Sequence, residues 1–223
     1  MPLTTPPALP CLHPSTLLIP GHLVDLERAD VARHAAGLWG AIGTDPELWS
    51  LIPPGPFADE AAFTEWLTDR AGRADTALYT IVDKGNMDKG GGKPAGLFFL
   101  LGIDTKMGVI EMGLVYGPAL ARRTPGTEAF FLLARHVIDT LSYRRLEWCC
   151  DPGHTASRRA AERFGFTLEG TLRQTMWTKG RSWDTAIYAI LDREWPAIER
   201  HLEAWLSPEN FDADGRQIRP LKG

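Results

Sequence analysis

The chain has 223 residues, 44% hydrophobic and 23% charged, a balance suited to one globular domain with trimmings at its ends. Lys and Arg total 24 against 28 Asp and Glu, and the formal charge of −4 disfavours nucleic acid as a partner. No apolar run approaches a membrane span, residues 1–10 lack the charged and apolar regions of a signal peptide, and the three cysteines (Cys11, Cys149, Cys150) fit a reduced, cytoplasmic protein.

Residues 1–14 carry five of the 17 prolines and read as an irregular arm. Thr16–Ile19 and Leu23–Leu26, split by Pro20-Gly21, read as a bent hairpin or bulged first strand. Asp30 is placed to cap a helix reaching Ile42, with Val31, Ala35, Leu38 and Ile42 at helical spacing. Asp59 opens a second helix that buries Ala62, Phe63, Trp66 and Leu67 and stops at Gly72. Strands follow at Ala77–Val82, Ala95–Ile103 and Val109–Tyr116, the first two joined by a polar, Gly-dense loop, Asp83–Lys93, expected as a mobile hairpin tip.

The clearest helix comes next. Phe130, Leu133, Ala134, Val137, Ile138 and Leu141 form one apolar face, with Thr127 expected at the entrance and Pro125-Gly126 breaking what precedes. A strand turning through a basic, Gly-containing loop into a helix gathers unpaired backbone N–H groups and a positive dipole end, a geometry that binds phosphate, and Arg122 and Arg123 add fixed charge. Arg144–Cys150 returns after that helix and is expected parallel to its neighbour. A short helix, Ser157–Phe164, a strand pair, Phe166–Leu172 and Thr185–Leu191, and a last helix, Glu194–Leu206, complete a mixed α/β fold with helices on the faces of its sheet. The expected division is an arm over 1–14, one domain over 15–206 and a polar tail over 207–223.

Three segments carry a resemblance. The window Ala121-Arg122-Arg123-Thr124-Pro125-Gly126 lies where a Q/R-x-x-G-x-G/A pyrophosphate loop would. Asp151 to Phe166 resembles an N-x-x-S…G-F segment. Phe166-Thr-Leu-Glu-Gly-Thr-Leu-Arg173, with Lys179-Gly-Arg, Asp184 and Tyr188 through Trp195, resembles a G-F-x-x-E-G-x-x-R…K-G-R…D…Y…L…E-W ending. Together they resemble the GNAT acyl-CoA N-acyltransferases, in particular the RimJ/RimL-type branch that acetylates protein N-termini and small amines. The resemblance implies a mostly antiparallel sheet with one splayed parallel pair, Val109–Tyr116 beside Arg144–Cys150, and the pantetheine arm of acetyl-CoA between them. It implies pyrophosphate on the loop and helix entrance at Arg122, Arg123, Thr124, Gly126 and Thr127, further contacts from His154 and Ser157, and an oxyanion held by backbone N–H groups near Val115. The chain departs from the pattern at Ala121, Thr124, His154 and Ala161, the last where many relatives carry a tyrosine that protonates the leaving thiolate.

Glu111 is the candidate catalytic residue. Attack on a thioester needs a neutral amine, and an α-amino group titrates at about 8 and a lysine at about 10.4, so a carboxylate in the cleft is a candidate proton acceptor. The competing reading is a strand glutamate facing solvent or paired with an arginine. Cys149 and Cys150 read as small buried hydrophobes, not an acyl-enzyme nucleophile. No histidine has a partner at metal-ligand spacing, so no metal is expected. Trp39, Trp49 and Trp66 suit either an acceptor wall or a packed helix pair, and Lys179, Arg181 and Asp184 read as a turn with an ion pair. The expected activity is acetyl transfer from acetyl-CoA to a primary amine, on a small molecule or a peptide N-terminus, by direct attack, with a homodimer allowed and no membrane partner. The alternative is a non-catalytic acyl-CoA-binding module.

Overall fold

The computed structural model describes residues 9–85, 92–213 and 216–221, so the Gly-dense loop expected over Asp83–Lys93 lies largely outside the described residues. Eight strands, β1 (Leu18–Pro20), β2 (Val24–Arg28), β3 (Ala77–Asp83), β4 (Lys93–Asp104), β5 (Val109–Tyr116), β6 (Arg145–Cys150), β7 (Thr167–Thr178) and β8 (Arg181–Leu191), form one sheet ordered β1-β2-β3-β4-β5-β6-β8-β7. Every junction is antiparallel except β5–β6. That pair is parallel because a helix, α4 (Thr124–Arg135), carries the chain back before β6 begins. The mixed, mostly antiparallel architecture is the one the sequence implies.

The other helices are α1 (Val31–Leu38), α2 (Pro46–Ser50), α3 (Glu60–Ala71), α5 (Thr155–Arg163) and α6 (Trp195–Leu206). Asp30 and Asp59 cap α1 and α3, their carboxylates accepting from the N–H groups of Arg33 and Ala62. Helix α2 was not anticipated, although its signal is present: Asp45 accepts from the Glu47 N–H and Pro46 occupies the first turn. Both α1 and α4 end in a π-helical turn, Trp39–Gly43 and His136–Thr140. Strands β7 and β8 run past their expected ends to a two-residue turn, Lys179-Gly180, with φ of 50° and 71°, the positive pair that suits a tight hairpin. β7 is an exposed edge strand, interrupted by register shifts after Leu168 and Leu172, irregularities that discourage further strand pairing.

Strand alternation sorts the side chains into two layers. On β5, Ile110, Met112, Leu114 and Tyr116 join the core beneath α4, α5 and α6. Val115 points the other way, into a second core where α1–α3 pack on Leu78, Leu97 and Phe99. By the same alternation Glu111 and Gly113 share Val115's face.

One buried carboxylate joins helix to hairpin. Glu128 is 8% exposed and accepts from three consecutive N–H groups, His22 at 3.0 Å, Leu23 at 2.6 Å and Val24 at 2.9 Å. These are the donors of the turn entering β2, which has no ladder partner for them. Glu128→Ala leaves all three without their acceptor and should destabilise the fold by roughly 2–4 kcal/mol, several degrees of Tm. Glu128→Gln should fall between; a Tm for the alanine variant within a degree of wild type would refute the clamp.

Candidate active site

The site begins where the sheet comes apart. β5 and β6 pair over three residues, Val109↔Arg145, Ile110↔Leu146 and Glu111↔Glu147, and then diverge. Beyond Glu111, the edge of β5 facing β6 has no strand partner. The Gly117 N–H to Ala95 carbonyl bond and the Leu97↔Val115 register fix the alternation: the Val115 N–H points to β4, while those of Leu114 and Tyr116 face the gap. The donors available to an oxyanion near Val115 are therefore its neighbours' amides and not its own. Gly113 keeps the floor bare; the nearest atom that a Cβ there would meet belongs to Phe99, at an ordinary 3.5 Å.

The anion end lies at the start of α4. The helix begins at Thr124, three residues earlier than expected, with Arg123 as its N-cap and Pro125, which has no N–H to satisfy, in the first turn. Arg122 and Arg123 are exposed and form no ion pair among the described residues, and Arg122 adopts φ 61°, uncommon for a side chain of this kind. Arg123 N–H donates to the Leu120 carbonyl and Gly126 N–H to that of Arg123. Among the described residues the N–H groups of Arg122 and Thr124 find no protein acceptor, so they are the donors open to phosphate.

Gly126 and Thr127 face inward. A Cβ on Gly126 would lie 2.3 Å from the Leu120 carbonyl oxygen, and the Tyr116 hydroxyl donates to the Gly126 carbonyl at 2.7 Å. Thr127 is 2% exposed, and its Oγ1 accepts from Arg163 at 3.1 Å. The glycine is thus demanded by packing of the loop on β5. Arg163, not among the residues expected at the site, brings a third guanidinium to this helix start, held over the rings of Phe164 and Trp205. On α5, His154 occupies the N-cap position without a side-chain bond, and burial pushes its imidazole pKa down, keeping it neutral. Ser157 Oγ accepts from the Trp148 indole at 2.9 Å, which fixes it at the base of the cleft.

Glu111 lies at the point of divergence. Burial first, then the charge of Glu147, raise its carboxyl from 4.5 to about 7, while a hydrogen bond with Cys149 opposes them. The Cys149 thiol is pushed far above the usual thiol range by burial and by the Glu111 and Glu147 charges, and Cys150 is raised by burial too. Neither is a thiolate at neutral pH, so neither has the property a covalent nucleophile needs.

Lys179 donates to the carbonyls of Trp49, Ile52 (2.7 Å) and Pro54 (3.1 Å), joining the β7–β8 turn to the loop after α2. Arg181 does not pair with Asp184, as a local ion pair would require. It binds Asp151 at 2.5 Å and stacks 4.0 Å from Trp183, while Asp184 accepts from the Gln174 N–H. Of the three tryptophans, Trp49 is fully buried and belongs to the core, donating to the Ile42 carbonyl. Trp39 and Trp66 are half-buried in the same aromatic cluster, and the buried Trp66 Nε1 has no protein partner. No group of three or more metal-ligating side chains occurs among the described residues, and no described helix is long and apolar enough to cross a membrane.

The Glu111 shift has a thermodynamic consequence. A carboxyl that holds its proton more tightly when folded contributes stability below about 4.5 that is lost as pH rises through about 7. Glu111→Gln cannot ionise, so its stability relative to wild type should climb between pH 5 and pH 8, by roughly 1–3 kcal/mol in denaturant unfolding. A pH-independent difference would mean that Glu111 ionises freely.

Comparison with known proteins agrees with this geometry. Residues 24–167 match the family model described as an acetyltransferase (GNAT) domain. A GCN5-related N-acetyltransferase from Brucella melitensis is 40% identical, with a TM-score of 0.89 over 96% of each chain. A GNAT-family protein from Chromobacterium violaceum is 38% identical, with a TM-score of 0.80 over 88% of this chain and 96% of its own. A Bacillus subtilis protein named as a ribosomal N-acetyltransferase, YdaF, is 33% identical over 69 residues, which span 31% of this chain and 38% of that relative's length. The splayed strands, the basic helix start and these likenesses identify one family: the chain belongs to the GNAT acetyltransferases, enzymes that draw their acetyl group from acetyl-CoA.

Proposed function

We propose that the enzyme transfers the acetyl group of acetyl-CoA to a primary amine by direct attack, with Glu111 as proton acceptor. The acceptor is a small-molecule amine or a peptide N-terminus; the ribosomal N-acetyltransferase name of the Bacillus subtilis relative favours the latter. The three unpaired cysteines suit a reducing compartment, the cytoplasm.

The observation that carries this reading is the position and basicity of Glu111. An ordinary carboxylate is a poor match for an ammonium that titrates at about 8, whereas one at about 7 exchanges a proton with it at little cost. The freed nitrogen attacks the thioester carbonyl carbon, the C–N bond forms, and the C–S bond breaks as the tetrahedral species collapses. The proton lost by nitrogen balances the one gained by the departing sulfur. The gap-facing N–H groups of Leu114 and Tyr116 suit the developing oxyanion. Arg122, Arg123 and the N–H groups of Arg122 and Thr124 suit the pyrophosphate, with Ser157 and His154 beside the arm that joins the two ends.

Acetyl-CoA should raise Tm, by about 2.7 kcal/mol of added stability at a hundred times its Kd; the absence of any thermal shift at millimolar ligand would remove the reading's first step. Replacing Arg122 and Arg123 together with alanine should weaken acetyl-CoA well beyond tenfold in calorimetry, since charge-assisted contacts are worth about 1.5–3 kcal/mol each. Glu111→Gln should lower turnover on a primary-amine panel roughly 10²-fold or more with little change in acetyl-CoA affinity. Cys149→Ala should keep most activity. A fully active Gln variant, or an acetylated cysteine trapped in wild type, would overturn direct attack assisted by Glu111.

A further inference from the structure

Glu111 and Glu147 are partners in the parallel register at the last paired position before the strands diverge. Both lie on the cleft face, and nothing about strand pairing asks for two carboxylates there. Like charges on adjacent strands are unfavourable unless another group takes up the cost.

The groups behind Glu147 show how the arrangement is held. Arg145, two residues earlier on the same face of β6, donates through Nε to Glu147 at 2.7 Å. Its two terminal nitrogens grip Glu169 on β7 in a paired contact, at 2.9 and 2.7 Å. One guanidinium therefore serves two carboxylates, and the triad keeps one net negative charge. All three side chains are partly shielded, with exposures of 25% for Glu147, 21% for Arg145 and 43% for Glu169. Among the described residues, the titratable groups that act on Glu111 are Glu147 and Cys149, both from β6; its β4 partner is the uncharged Leu101.

We propose that Glu147 is a positioning residue for proton transfer, whose fixed charge beside Glu111 sets how tightly Glu111 holds a proton, while Arg145, steadied by Glu169, sets how much of that charge Glu111 feels. The inference rests on Glu111 as the proton acceptor, and it makes base strength a property of the whole β5–β6–β7 contact. The sequence hides the device, since residues 111, 145, 147 and 169 lie on three strands.

The two substitutions act in opposite directions. Glu147→Gln keeps the shape and removes the negative charge, so Glu111 should ionise more easily, its midpoint falling by about one pH unit. Arg145→Gln removes the cation that offsets Glu147, an effect that reaches Glu111 only through Glu147, and should raise the midpoint by a smaller amount. A triad serving only to staple strands would lower Tm in both variants and move neither midpoint.

The test is a ¹³C NMR pH titration of glutamate carboxyl-labelled full-length protein, with the Glu111 signal assigned by its loss in Glu111→Gln. It needs no identified acceptor. The acid limb of kcat/KM, with one amine used throughout, should move the same way in each variant. Shifts of opposite sign support the inference, and shifts of the same sign, or none, overturn it. If Glu111→Gln turns over like wild type while the titration midpoints still move apart, the proton-acceptor role has failed and the charge coupling stands alone.

Discussion

The brevity of the β5–β6 pairing is the constraint from which the rest follows. Three residues on each side are joined, and past Glu111 and Glu147 the strands part. A strand edge left open inside a protein must satisfy its backbone groups with something other than a strand. Here the open edge faces a gap flanked by the start of α4 and the first turn of α5. The same divergence places one carboxylate where burial is deep enough to raise its pKa and the opening close enough to make a raised pKa useful.

The main elements were legible because their signals are local. The apolar face from Phe130 to Leu141 and the caps at Asp30 and Asp59 each depend on residues within a few positions of one another. Glu111 could be singled out because a charge inside a predicted central strand demands an explanation. Gly126 was harder: a glycine beside a basic helix start looks the same in sequence whether it admits a phosphate or a carbonyl from its own loop. Its close approach to Leu120, and the inward turn of Thr127, depend on where the helix begins, and the sequence put that start three residues late. Arg163 and Lys179 were not legible as site residues, because their partners lie 36 and as many as 130 positions away.

The two views of the cysteines are separated by electrostatics. Cys149 lies beside the carboxylate that matters most, which at first sight suggests a nucleophile and its base. Yet a thiolate there would share a half-buried space with Glu111 and Glu147, and three anions in one place are worse than two. The neighbour that could serve as a base is the one that disfavours the thiolate. The thiol instead gives Glu111 a hydrogen bond that partly offsets its burial. The alternative of a non-catalytic binding module gives way to the family assignment.

Lys179 brings the order of synthesis into the picture. The carbonyls of Trp49, Ile52 and Pro54 leave the ribosome early, ahead of Leu78, Leu97, Phe99 and Val115, the sheet residues that complete the core of α1–α3. The ammonium that joins them to the far half of the sheet emerges more than 120 residues later. A nascent chain therefore holds β5 and β6 before it holds the lysine that ties the β7–β8 turn to the helical layer, and β8, which pairs with β6, follows only after that. The tie between the early helical layer and the late strand pair is thus a contact that only the nearly finished chain can make.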